Sequence, residues 1–548
     1  METIKRCWLV FAFLCLKHIL CAQSDYYFEL TFTDKGNDYS TSIPTAFLSE
    51  QSLTKKSQRN VAIDYLDLPL RASYLQNIAA FPLSITHHSK WRNSVLVKMN
   101  DTSICAQIRL KSGVKSLSLF TTIYLGAIKK ESTDGKENSD SRFLTMPYGE
   151  GFNQIAMLNA HFLHERGFTG AGMDIAVFDA GFAPNGFTVF AELQSRGQIK
   201  DTWDFVDNDA TVFEKSIHGA MVLSILANSN KNISGVAPKA NYYLFVSEDE
   251  FSETLLEEYN WLMAAERADS IGVDVINSSL GYTLFDDIST NHQYSDMNGN
   301  TTLVSKAANT AARKGIFVVA SAGNDAQKPW HYVVAPADAD SVLAVGAVNA
   351  ASKYAYFSST GPSSDGDVKP NVATQGQDAV ITFVNNRYMV ANGTSFSGPL
   401  MAGAAACLWQ AFPHLSNLQL KKEIEKCASQ YNAPDSLLGF GIPNLMRAFM
   451  LLDSMDVYSY DQTLLISLRS NPFSDRIGVE LYSAQQQELT FQLMDISGRL
   501  IRNENQTILS HQYLVFGLSN LEGLSSGLYF FTVSDQNGMS KMYKVLKN

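Results

Sequence analysis

Apolar and polar positions follow different rhythms in different stretches of this chain, and those rhythms predict its elements. Between residues 147 and 454, short continuous apolar runs alternate with segments of helical period. Runs 173–179, 242–247, 273–278, 315–321 and 342–348 read as strands buried on both faces. Segments 219–228, 255–269 and 302–314 read as the helices between them. This alternation predicts an α/β domain built on a parallel sheet, with functional residues at the carboxyl ends of the strands. Two strands finish in chemically loaded loops, Val177-Phe178-Asp179-Ala180-Gly181 and Ala320-Ser321-Ala322-Gly323-Asn324. Residues 400–409 are almost wholly apolar and long enough for a buried helix, which puts Ser395 at that helix's amino end.

The flanks have other rhythms. Strand-like runs at 26–32 and 94–99, with a helical region beginning at 53–65, predict a small α+β unit over 23–127. His87-His88 reads there as a solvated loop. Residues 128–146 are polar without apolar periodicity, which is the chemistry of an exposed linker where proteolytic cuts concentrate. From 455 to 548, short runs at 478–482, 489–494 and 529–534 are separated by Gly, Asn, Asp and Ser turns. They predict a β-sandwich of about ninety residues.

Composition narrows the class. The chain of 548 residues is long enough for about three or four domains. Its 45% hydrophobic and 18% charged residues are those of ordinary folded protein, and a formal charge of −11 argues against nucleic acid as the main partner. Residues 1–22 read as an export signal: Lys5 and Arg6 start it, 7–16 form the apolar core, and Ala22 precedes Gln23. Lys17 and His18 interrupt the core, so it is too short to span a membrane, and no later run reaches about 18 apolar residues. Leu20 is large for either a signal cut after Ala22 or a lipoprotein cut before Cys21; the first reading is preferred. Cys7, Cys15 and Cys21 fall in the signal, which leaves Cys105, Cys407 and Cys427, an odd set that excludes a disulfide scaffold. Cys407 reads as a buried thiol, with a Cys407–Cys427 bridge left open.

The candidate chemistry begins at Ser395. At a helix start it is equally well placed as a cap or as a nucleophile, because unpaired N–H groups and the positive dipole end face any anion forming there. Asp179 is either a cap or a buried carboxylate that orients an imidazole, and His218 gains weight from Gly219, which permits close backbone approach. In chain order the three are Asp179, His218 and Ser395.

That order and its motifs resemble the subtilase (subtilisin-like) serine peptidases. Gly393-Thr394-Ser395-Phe396-Ser397-Gly398-Pro399 is similar to the family's nucleophile motif. His218-Gly219-Ala220-Met221-Val222 and Ile175-Ala176-Val177-Phe178-Asp179-Ala180-Gly181 are similar to its histidine and aspartate motifs, with Ala220 and Ala180 standing where hydroxyl residues are usual. Ala322-Gly323-Asn324 resembles the oxyanion-hole motif, Ser279-Leu280-Gly281 the substrate-pairing edge, and Gly235-Val236-Ala237-Pro238 the lead into a core strand. The resemblance implies a three-layer α/β/α domain and a secreted serine endopeptidase that works through an Asp179–His218–Ser395 triad and an acyl-enzyme. Asn324 and the Ser395 N–H would form the oxyanion hole, with Ser279, Leu280, Gly281, Ala322 and Gly323 binding a polypeptide substrate.

The flanks also carry resemblances. Residues 23–127 resemble the amino-terminal propeptides of exported subtilases, which implies an intramolecular inhibitor removed by a cut in the linker. Ser470-Asn471-Pro472-Phe473, Met494-Asp495-Ile496-Ser497-Gly498-Arg499, Ser526-Gly527-Leu528-Tyr529-Phe530 and Tyr543-Lys544-Val545-Leu546-Lys547 resemble the type IX secretion sorting domains of Bacteroidota. That implies type IX secretion machinery as a partner, and passage through periplasm and outer membrane to the cell surface or medium.

No cofactor is required by this chemistry. Asp296-Met297-Asn298-Gly299-Asn300 spaces oxygen groups as a calcium loop would, but also as an ordinary turn would, so structural calcium stays open. His161 and His164 read as helix-face residues without ligand partners. The alternative function is a catalytically weak or inactive surface binding protein on the same scaffold, motivated by Ala180 and Ala220. An esterase is disfavoured by the residue order and the absence of a Gly-x-Ser-x-Gly elbow.

Overall fold

The computed structural model describes residues 24–124, 149–229, 234–453, 458–460, 464–469, 471–483, 485–509, 512–536, 538 and 540–548. The export segment 1–22, the linker 128–146 and Ser470 lie outside the described residues. The chain divides into two compact units, 1–443 and 444–548.

The first unit opens with strand β1 (Ser24–Phe32), helices α1 (Glu50–Gln58) and α2 (Ala72–Ala79), strands β2 (Ser84–Ser89) and β3 (Ser94–Met99), helix α3 (Cys105–Arg109) and strand β4 (Val114–Tyr124). The strands form an antiparallel sheet in the order β2-β3-β1-β4. Alternation along β3 decides both faces: Val95, Val97 and Met99 pack with Tyr74 and Ile78 of α2 and Ile108 of α3. Leu96 points the other way, into a core shared with the domain that follows. His87 and His88 therefore lie on β2, not in the solvated loop read from the sequence. His87 is half-buried, its ring 5.5 Å from Tyr259, and burial pushes its pKa down to about 4. Their polarity disguised the strand because its cover comes from a distant helix. The helix expected from 53–65 begins earlier, at Glu50, and ends before Asn60, whose φ of 56° breaks it.

The domain beyond the linker supplies α4 (Phe152–Met157), α5 (Ala160–Glu165), β5 (Asp174–Asp179), α6 (Thr188–Ser195), β6 (Ile199–Asp204), α7 (His218–Ala227), β7 (Asn241–Val246), α8 (Leu255–Ile271), β8 (Val275–Ser278), α9 (Leu303–Arg313), β9 (Phe317–Ser321) and β10 (Leu343–Val348). It continues with β11 (Val372–Gln375), the hairpin β12 (Ala379–Phe383) and β13 (Arg387–Ala391), and helices α10 (Thr394–Ala411) and α11 (Asn417–Lys426). Seven strands pair in parallel in the order β11-β10-β9-β8-β5-β7-β6. All six residues of β5 and of β10 are buried, as their continuous apolar runs predict. The edge strand β6 (Ile-Lys-Asp-Thr-Trp-Asp) and short β11 escaped that test because neither is a continuous apolar run. Helices cover both faces of the sheet: α10 packs on β8 to β11, and α8 with α9 on the other side. After its first turn α10 is buried on all sides through Trp409, as a helix apolar around its circumference must be.

The second unit holds α12 (Leu445–Asp453) and strands β14 (Tyr458–Tyr460), β15 (Leu464–Leu468), β16 (Ile477–Ser483), β17 (Gln487–Met494), β18 (Leu500–Ile508), β19 (Gln512–Leu518), β20 (Gly527–Asp535) and β21 (Ser540–Lys547). They make two antiparallel sheets, β14-β15-β16-β19 and β18-β17-β20-β21. Leu489, Phe491 and Leu493 of β17 alternate inward to meet Ile466, Val479 and Leu481 in one core, a β-sandwich. Helix α12 groups with this unit, so the division falls ahead of the 454/455 boundary read from the sequence: Asn444 Nδ2 donates to Tyr482 Oη at 3.1 Å, and Arg469 pairs with Asp453.

Candidate active site

Asp179 ends β5 beside the point where the chain switches from one half of the sheet to the other. Two glycines bring the next element against it. A Cβ at Gly181 would lie 2.6 Å from Ser216 N, and one at Gly219 would lie 2.4 Å from Gly181 O. With no side chain at either position, the Gly219 N–H donates to Gly181 O at 3.0 Å and seats the first turn of α7 on the exit of β5. His218 Nδ1 then lies 2.8 Å from Asp179 Oδ1. An Nδ1–H donated to the carboxylate leaves Nε2 as the free acceptor.

The surroundings shift His218 toward easier protonation than a free imidazole. Burial opposes protonation of His218, but the Asp179 charge and hydrogen bond outweigh it, with Glu248 adding to them, so the pKa stands above its ordinary 6.5. Glu248 itself is half-buried; burial, then the Glu253 and Asp179 carboxylates, push it up to about 8. The fully buried Asp179 receives the Ala180 N–H on Oδ1 at 2.9 Å, while Oδ2 has no hydrogen-bond partner among the described residues.

Ser395 is the second residue of α10, half-buried. The neighbouring Phe396 ring lies 6.1 Å from the His218 ring, which puts the first turn of α10 beside His218 and its Asp179 partner. No hydrogen bond joins His218 Nε2 to Ser395. The Ser395 hydroxyl donates instead to Ser279 O at 3.4 Å, and the Ser279 hydroxyl donates to Ser395 O at 3.1 Å. Pro399 explains the second bond: four residues on, it has no N–H to offer the Ser395 carbonyl.

Asn324, exposed beyond β9, faces the same helix start. Its Oδ1 accepts from Thr394 N at 2.8 Å and from Thr394 Oγ1 at 3.1 Å. That fixes the amide's orientation and turns Nδ2 away from these donors. The Ser395 N–H stands in the first helical turn, where the helix supplies no acceptor.

Leu280 and Gly281 follow β8 with no backbone hydrogen bond to another described residue, whereas Tyr282 N donates to Ala335 O at 2.9 Å. Ala322 and Gly323 follow β9, the strand beside β8. The segment 333–335 runs between the two, with Val334 N donating to Ala322 O at 3.1 Å. Val334 fills the slot: a Cβ on Gly281 would lie 2.1 Å from its Cγ2, and one on Gly323 would lie 2.9 Å from its Cγ1. Sequence reading missed Val334, since one valine in an apolar run carries no local mark.

Asp296 Oδ2 accepts from Gln293 N and Asn298 Oδ1 from Asn300 N, which spends those oxygens on turns. Among the described residues, three exposed carboxylates, Asp340, Asp365 and Asp367, come within 4.8 Å of one another. His161 and His164 lie on α5, and His164 Nε2 is 2.8 Å from Val236 O. Cys105, Cys407 and Cys427 are buried and outside any disulfide, so the Cys407–Cys427 bridge does not form.

Comparison with known proteins gives three matches along the chain. Residues 170–441 match the subtilase family, 27–138 the Bacteroidota peptidase S8 propeptide domain, and 470–548 a secretion system C-terminal sorting domain. Subtilisin from Bacillus pumilus is 32% identical over 309 residues, which cover 56% of this chain and 98% of that protein. Subtilisin E from Bacillus subtilis is 32% identical over 309 residues, covering 56% of this chain and 71% of its own. The MycP3 protease of the type VII (ESX-3) secretion system superposes with a TM-score of 0.44 at 21% identity, over 57% of this chain and 89% of that one. That last likeness is too slight to carry an argument.

Proposed function

This chain belongs to the subtilase family, a serine-type peptidase with an amino-terminal propeptide and a sorting domain that implies export to the cell surface or medium, and we propose that it is an endopeptidase working through Asp179, His218 and Ser395. The observation that carries this reading is the 2.8 Å contact between His218 Nδ1 and the buried Asp179 carboxylate, beside the helix start that bears Ser395. His218 Nε2 takes the Ser395 proton as Oγ attacks the substrate carbonyl, and Asp179 stabilises the imidazolium that forms. The Ser395 hydroxyl turns from Ser279 O to Nε2 in this step. Asn324 Nδ2 and the Ser395 N–H hold the oxyanion, His218 returns the proton to the leaving amine, and water hydrolyses the acyl ester by the same route.

Substrate lies extended along 279–281, where the unpaired backbone groups of Leu280 and Gly281 suit strand addition, with 322–323 on its other side. The unit 24–124 acts as an intramolecular inhibitor of this site. The chemistry needs no cofactor, and calcium, where bound, is structural.

A fluorophosphonate probe tests the reading: it labels the processed wild-type protein at Ser395 and leaves Ser395→Ala unlabelled. A folded, processed wild type that resists the probe would return the chain to the non-catalytic binding role.

A further inference from the structure

The carbonyl of Thr394 and the N–H of Ser395 belong to one planar peptide unit, so whatever holds that oxygen also aims that hydrogen. The Ser395 N–H has no acceptor among the described residues. Its neighbours on either side are engaged: Thr394 N donates to Asn324 Oδ1 at 2.8 Å, and Phe396 N to Gly393 O at 3.1 Å. Gly393, the residue before α10, has no side chain with which to cap the helix.

The oxygen end of the same peptide is crowded with donors. Ser321 Oγ, at the last residue of β9, donates to Thr394 O at 2.8 Å. Ser397 Oγ, in the first turn of α10, donates to the same oxygen at 3.0 Å. All three residues are buried, and Gly398 keeps room for the contact, since a Cβ there would lie 3.0 Å from Ser321 Oγ. The helix requires neither bond. Its carbonyls turn to the N–H four residues on, and for Thr394 that residue is Gly398, which unlike Pro399 has an N–H to give. Alanine at 321 or 397 would therefore leave no backbone group unpaired.

Two hydroxyls on one carbonyl act on its N–H in two ways. They fix the peptide plane, and they draw charge toward the oxygen, which strengthens the N–H as a donor by roughly 10–30% per bond. Both effects count most where the N–H meets a full negative charge. Thr394 also sets Asn324, whose Oδ1 takes its N and its Oγ1, while Gly323 N donates to that Oγ1 at 3.2 Å. One residue thus registers both proposed oxyanion donors against each other.

We propose that Ser321, with Ser397 beside it, is a positioning residue for the oxyanion: through the Thr394 carbonyl it aims the Ser395 N–H and strengthens it as a donor. This role presupposes Ser395 as the nucleophile. It adds to the oxyanion hole a pair of hydroxyls that never touch substrate.

The test uses the processed protein. Counted per fluorophosphonate-reactive molecule at full labelling, the kcat of Ser321→Ala should fall about tenfold with KM within about twofold of wild type, because the lost bond acts on charge present only in the transition state. Ser321→Thr keeps the hydroxyl and should recover kcat to within about threefold. Ser397→Ala serves if Ser321→Ala does not fold, with the same split expected. A peptide aldehyde and the alcohol of the same sequence give a second readout. Ser395 Oγ adds to the aldehyde carbon as its proton passes to His218, and the carbonyl oxygen becomes the oxyanion; the alcohol only occupies the cleft. Ser321→Ala should weaken aldehyde binding about tenfold and leave alcohol binding unchanged. An unchanged kcat, or equal weakening of aldehyde and alcohol, would overturn the proposal while wild-type labelling upholds the peptidase reading. A wild type that neither takes the label nor prefers the aldehyde would remove that reading and this role with it.

Discussion

Ser279 and Ser395 hold each other through crossed hydrogen bonds, each hydroxyl donating to the other's carbonyl, at 3.1 Å from Ser279 and 3.4 Å from Ser395. The first of these answers a defect that Pro399 creates in helix α10, and it ties the edge 279–281 to the backbone of Ser395. Ser279→Ala would leave the Ser395 carbonyl without that donor. We expect a loss of about 1–3 kcal/mol in unfolding free energy, the cost of a buried acceptor left unpaired. We also expect kcat to fall about tenfold as Ser395 loosens, by analogy with small misplacements of catalytic groups. Urea titration beside steady-state kinetics on one preparation reads both.

In the proposed oxyanion hole, Thr394 sets the orientation of the Asn324 amide. Asn324→Ala should lower kcat by about a hundred- to a thousandfold with little change in KM, because the lost donor acts on charge that forms only in the transition state. An equal rise in KM at constant kcat would assign Asn324 to substrate binding.

The pH profile follows from His218. Its pKa is raised above 6.5, chiefly by Asp179 against the pull of burial, and the proposed base is the neutral ring. Activity should therefore rise with pH through a midpoint above 6.5. Asp179→Asn removes the charge, moves that midpoint down and lowers kcat by about ten-thousandfold. The stability sign is opposite to the activity sign. A raised folded pKa stabilises fully below the unfolded value of about 6.5 and loses that contribution as pH rises through the folded pKa. Unfolding midpoints against pH should show this slope in the intact chain, and a flatter one in Asp179→Asn.

Val334 closes the slot between Gly281 and Gly323, so cleavage is expected after small side chains. Val334→Gly should shift relative kcat/KM toward large aliphatic and aromatic residues by about ten- to a hundredfold. Peptide-library profiling decides it; an unchanged profile would move the specificity pocket elsewhere.

Much of this protein could be read before any fold was known, because continuous apolar runs and helical periods are local properties. Strands β5 and β7 to β10, helices α7 to α10 and the apolar alternation of the carboxyl-terminal unit follow from them. The motifs around Asp179, His218, Asn324 and Ser395 were equally legible, each being a few adjacent residues. The sequence likewise marks Gly219 as a place of close approach, though not what approaches it.

Only the tertiary structure decided which groups meet. Ser279 reaches Ser395 across 116 positions. Val334 came to lie between Gly281 and Gly323 because 333–335 threads between two loops, and His87 became half-buried because α8 covers its strand. Nothing in the helical region expected from 53–65 told that Lys55, Lys56 and Arg59 would meet Asp174, Asp269 and Asp274. Local pattern specifies what each segment becomes; contacts between distant segments depend on packing and burial, which no short window of sequence contains.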